Sequence, residues 1–106
     1  MNILEKICQL KQKEINLLKK KFKPSQQKLQ TRGFLKSILV KDDNNFNLIA
    51  EIKKSSPSKG LICKKFDPIQ IAIDYEKAGA KCLSVLTEKN YFGGNIGYIS
   101  QIKKTV

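Results

Sequence analysis

The chain has 106 residues, 41% apolar and 28% charged, with 21 Lys or Arg against 9 Asp or Glu and a formal net charge of +12. That length allows one small domain or a piece of a larger one, and the apolar share excludes wholesale disorder. No apolar run approaches the roughly 20 residues that span a bilayer, and the N-terminus lacks the continuous apolar core of a secretory signal.

Residues 2–22 carry a helical period. Ile3, Ile7, Leu10, Ile15 and Leu18 recur at steps of three to five, with Leu4 and Leu17 beside them and lysines opposite. Pro24-Ser25 ends the segment. A short amphipathic helix follows Gly33, with Phe34, Leu35, Ile38 and Leu39 as its apolar side, and residues 42–45 read as a turn-rich loop. From Phe46 the period changes. Residues 47–53 form a strand that is apolar on both faces until its charged end, the pattern of a buried parallel strand. Residues 55–60 read as a loop rich in Ser, Pro and Gly.

Asp67-Pro68 is a helix start, with Asp as the N-cap and Pro at the first helical position. Ile69, Ala72, Ile73 and Tyr75-Glu76 carry that helix to Gly79, a natural stop. Residues 81–87 are a second buried strand, and residues 88–94 a loop containing Tyr91-Phe92-Gly93-Gly94. Ile96, Ile99 and Ile102 begin a last helical pattern that reaches Lys104. A strand, a helix and a second strand at this spacing imply a parallel pair with a right-handed crossover. Two parallel strands cannot bury both their faces, so the expectation is the N-terminal part of a larger α/β protein.

The positive charge raises the question of a nucleic-acid partner. Arg32 is the only arginine, whereas base reading and bidentate phosphate recognition favour Arg. The lysines are dispersed, with their densest run at Lys19-Lys20-Lys21. A solvated surface therefore accounts for most of the charge, and a phosphorylated small molecule is an anionic partner compatible with it. Cys8, Cys63 and Cys82 are odd in number and widely spaced, and there is no His, which argues against zinc and for reduced thiols in a cytosol.

The most informative stretch is residues 50–60, Ala-Glu-Ile-Lys-Lys-Ser-Ser-Pro-Ser-Lys-Gly. In an extended strand alternate residues share a face, so Glu51 and Lys53 point the same way as Ile49, and Leu48, Ala50 and Ile52 the other way. A carboxylate and an ammonium at the C-terminal end of a strand, beside a Gly/Ser loop, is how α/β proteins build active sites. On the residues alone, a plain ion pair at a sheet end stays open as the other reading.

Ile49-Ala50-Glu51-Ile52-Lys53-Lys54-Ser55-Ser56-Pro57-Ser58-Lys59-Gly60, then Phe66-Asp67-Pro68, then Leu83-Ser84-Val85-Leu86-Thr87-Glu88 and Tyr91-Phe92-Gly93-Gly94, resemble indole-3-glycerol phosphate synthase in order and spacing. The resemblance implies a (β/α)8 TIM barrel of α/β class. Residues 1–46 would be a helical extension over its catalytic face, and residues 47–106 its first two βα units. It implies a carbon–carbon lyase of tryptophan biosynthesis with no metal or organic cofactor. Lys53 matches the catalytic lysine and Glu51 its partner carboxylate. Ser56 and Pro57 match positions bordering the substrate, and Phe92 the ring that packs on its aromatic part. By the resemblance Ser58 borders the substrate too, with a residue chosen only for turn chemistry as the other reading; Lys54 and Lys59 read more simply as solvent-facing, and Gly93-Gly94 is only a weak phosphate signal. The resemblance further implies a cytoplasmic protein with no nucleic-acid or membrane partner, and it is compatible with fusion to phosphoribosylanthranilate isomerase. The competing readings are a basic RNA-binding module and a reading frame that has lost its function.

Overall fold

The computed structural model of the protein describes residues 1–41 and 46–106. The expected loop at residues 42–45 lies outside the described residues. The chain divides into two compact units, Met1–Gln30 and Thr31–Val106.

The first unit is built on helix α1, Ile3–Lys21. Its start is a capping box: the Asn2 side chain accepts from the Glu5 N–H at 2.8 Å, and the Asn2 N–H donates to the Glu5 carboxylate at 3.2 Å. Lys19, Lys20 and Lys21 occupy the last turn, where positive charge complements the helix dipole. No residue of α1 is buried. Among the described residues no helix is long and apolar enough to cross a membrane.

The second unit runs α2 (Phe34–Leu39), β1 (Ile49–Ile52), β2 (Ser55–Ser56), β3 (Gly60–Leu61), α3 (Pro68–Lys77), β4 (Cys82–Val85) and α4 (Gly97–Thr105). β1 and β4 pair in parallel, with Ala50 beside Leu83, Glu51 beside Ser84 and Ile52 beside Val85. The ladder continues past the strand ends through the Lys81 N–H to Leu48 carbonyl bond at 2.9 Å and the Leu86 N–H to Ile52 carbonyl bond at 3.1 Å. α3 lies in the crossover and packs on β1, and α4 packs on α3. Ile52, Ala72 and Ile102 form the buried centre, with Phe66, Leu83, Val85 and Tyr98 against it.

α3 forms for the reasons its sequence suggests. Asp67 accepts from the Gln70 N–H at 3.1 Å, and Pro68 fills a first-turn position that needs no donor. At the other end Gly79, at φ +100°, turns the chain so that the Ala80 N–H reaches the Tyr75 carbonyl at 3.0 Å. Asp67→Ala removes the cap and should cost about 1 kcal/mol. Urea denaturation should show a lower midpoint at unchanged slope, and an unchanged midpoint would deny the cap its role.

Two expectations are corrected. Residues 55–60 are not a loop throughout. Ser55 pairs with Leu61 and Ser56 with Gly60 in an antiparallel hairpin, and the chain then returns so that the Ile62 and Cys63 N–H groups donate to the Lys54 carbonyl. Gly60, at φ +64°, supplies the left-handed residue that the tight return requires. The first strand is also not buried on both faces. Ala50 and Ile52 are buried, whereas Ile49 and Glu51 are exposed, because the helices among the described residues cover one face of the pair.

α2 falls within the second compact unit. The Asn47 amide donates to the Ile38 carbonyl at 2.8 Å and the Val40 carbonyl at 3.2 Å, and α2 packs near β4. The three cysteines are thiols: Cys8 exposed, Cys63 half-buried and Cys82 buried.

Candidate active site

Parallel pairing places the C-terminal ends of β1 and β4 on one edge of the sheet. From that edge emerge Lys53, the β2–β3 hairpin and the turn at residues 88–94. This is the edge at which open α/β sheets and barrels hold their ligands.

On the face away from the helices, the Lys53 ammonium lies 3.1 Å from one oxygen of Glu51. The other oxygen accepts from the Ser84 hydroxyl at 3.2 Å across the strand pair. The side chains of Lys53 and Glu51 are 33% and 47% exposed, so solvent screens their attraction. An exposed pair of this kind contributes about 0–1 kcal/mol, while fixing a lysine side chain costs up to about 2 kcal/mol. The ion pair alone does not hold the ammonium still. The Ser84 bond adds a second anchor to the same carboxylate.

Ser84 was not singled out from the sequence. Its signal lies in the register: it is the hydroxyl residue in the Cys-Leu-Ser-Val strand, and it sits directly beside Glu51. Matching the charged ends of the two strands would have found it.

Ser56 opens the hairpin, and its hydroxyl oxygen accepts from the Lys59 N–H at 3.2 Å, which leaves the hydroxyl proton available. Pro57 is exposed at the hairpin tip. Phe92 is half-buried in the turn after β4. That turn is shaped by Glu88, whose carboxylate accepts from the Asn90 and Tyr91 N–H groups. The structure thus brings Glu51 and Lys53 into direct contact, and it sets Ser56, Pro57 and Phe92 on segments flanking them. The two flanking segments meet where Gly93 lies against Ser55 and Lys54: a Cβ on Gly93 would stand 3.1 Å from the Ser55 hydroxyl.

The double glycine is explained by packing. The Gly93 N–H donates to the Lys89 carbonyl and the Gly94 N–H to the Glu88 carbonyl at 2.7 Å, so both donors are occupied within the turn. Gly93 has φ +62°, and a Cβ on Gly94 would collide with the Leu86 carbonyl oxygen. A groove of about 390 Å³ opens elsewhere, lined by Leu83, Val85, Ile99 and Ile102 among others; neither Glu51 nor Lys53 lines it. Among the described residues no cluster of His, Cys, Asp or Glu could hold a metal ion.

Comparison with known proteins places this geometry in a family. The sequence profile of indole-3-glycerol phosphate synthase matches residues 4–106. The indole-3-glycerol phosphate synthase of a Geobacillus species is 50% identical over 104 residues, covering 98% of this chain and 39% of the relative. That of Shouchella clausii is 43% identical over 104 residues, again covering 98% and 39%, and that of Aliarcobacter butzleri is 40% identical over 114 residues, covering 98% and 42%. The chain thus spans about two fifths of the length of these relatives. With its profile matched almost from end to end, the chain belongs to the indole-3-glycerol phosphate synthase family.

Proposed function

We propose that residues 47–106 are the first two βα units of a (β/α)8 barrel lyase of tryptophan biosynthesis. The reaction closes the indole ring of 1-(2-carboxyphenylamino)-1-deoxyribulose 5-phosphate with loss of carbon dioxide and water. The observation that carries the reading is the Lys53–Glu51 pair, 3.1 Å apart on the open face at the C-terminal edge of a parallel sheet. The uncovered face of β1 and the apolar groove lined by β4 residues support further strand–helix units around this one.

Ring closure needs a carbonyl made electrophilic while an aryl carbon attacks it, and a hydroxyl must then leave as water. Lys53 brings the positive charge or the proton to that oxygen, and Glu51 holds the ammonium in place. Ser56, with its hydroxyl proton available, makes a polar contact to the substrate beside Pro57. Phe92 lies against the substrate's aromatic ring.

The reading is tested by offering the substrate to two proteins and following indole-3-glycerol phosphate. One is the 106-residue chain; the other is a chimera in which this chain replaces the matching segment of the Geobacillus relative. The chimera should turn over. The chain by itself should show no measurable turnover, because one lysine–glutamate pair on an open face lacks the enclosed, preorganised surroundings the chemistry needs. A folded but inactive chimera would count against the assignment.

A further inference from the structure

We infer that Ser84 is a positioning residue that aims the Lys53 ammonium by holding Glu51. Its functional consequence rests on the synthase reading, whereas its geometry does not.

Three observations carry it. The register sets Ser84 directly beside Glu51 on the same face of the parallel pair. The two oxygens of Glu51 are divided between two partners, Ser84 at 3.2 Å and Lys53 at 3.1 Å, so the carboxylate is fixed at both ends and cannot rotate without breaking one contact. Lys53 itself stands one residue past the end of β1, so its long side chain takes its direction from its partner. Ser84 is a good anchor for the opposite reason: it lies inside β4, is half-buried, and has a single side-chain torsion before its hydroxyl. Valine or isoleucine would favour this strand position more than serine does, and the hydroxyl is what they could not supply.

The decisive comparison is Ser84→Val against Ser84→Thr, which differ by little more than the hydroxyl and both suit a strand. In the 106-residue chain labelled with ¹⁵N-lysine, the order of the Lys53 ammonium is read by side-chain relaxation. The Val variant should bring it down to the level of the exposed Lys19, Lys20 and Lys21, while the Thr variant keeps it as in the parent. Backbone amide exchange across β1 and β4 should stay within about twofold in both, which separates aiming from general loss of structure. In the chimera, kcat should fall about tenfold in Ser84→Val with KM within about twofold, and recover in Ser84→Thr. Equal Lys53 order in the two variants overturns the inference, whatever the chimera does, and so does a loss of order that comes with loss of strand protection. If the order changes as expected but Lys53→Ala leaves the chimera's turnover intact, the synthase role of Lys53 falls and the Ser84–Glu51–Lys53 linkage stands.

Discussion

Lys53→Ala in the chimera is expected to lower kcat by about 10²–10⁴-fold, the range for loss of a positioned proton donor, with little change in the urea midpoint. The two effects separate because the side chain is about one third exposed and its ion pair contributes little to folding. Lys53→Arg distinguishes charge from proton. A guanidinium retains the positive charge but does not release a proton in the working pH range. If the ammonium acts as an acid, the arginine variant should stay within about tenfold of the alanine variant. Near-normal turnover in Lys53→Ala would return the pair to the status of a plain ion pair at a sheet end.

Gly94→Ala should be the most damaging single-methyl change in the second unit. The added Cβ would overlap the Leu86 carbonyl oxygen and lie 2.8 Å from the carbonyl carbon of Thr87. Both atoms are backbone, so no side chain can swing aside. Relief requires moving the turn away from the end of β4 and weakening the 2.7 Å bond from the Gly94 N–H to the Glu88 carbonyl. A loss of about 3 kcal/mol is expected, read as a fall in Tm of roughly 12 °C or more for a unit of this size. The change should also displace Phe92, two residues earlier. A melting temperature within about 2 °C of the parent would show that the turn adapts freely.

Helices α1 and α3 were legible from their own residues: the apolar period of α1 runs until Pro24-Ser25, and Asp67-Pro68 and Gly79 bracket α3. The Glu51–Lys53 pairing was legible because strand alternation puts them on one face whatever surrounds the sheet. The hairpin at residues 55–61 was not, since two-residue strands are too short to show a period and Ser-Pro-Ser-Lys-Gly is also loop chemistry. The exposure of Ile49 escaped for another reason. An apolar strand reads as buried on both faces, but burial depends on what packs there, which the strand's own residues do not encode. Ser84 was missed because its meaning lies in the pairing of strands 33 positions apart, a non-local fact.

The one arginine of the chain has a kinetic consequence. Arg32, just ahead of α2, donates to the carbonyls of Lys103 and Val106 at the end of α4, 71 and 74 positions downstream. Closing a span of that length costs chain entropy before any contact repays it. The β1–α3–β4 unit has a much shorter path and can assemble first. The Arg32 fork then acts as a late fastening, added after that unit has formed and on top of the Asn47 bonds that already hold α2.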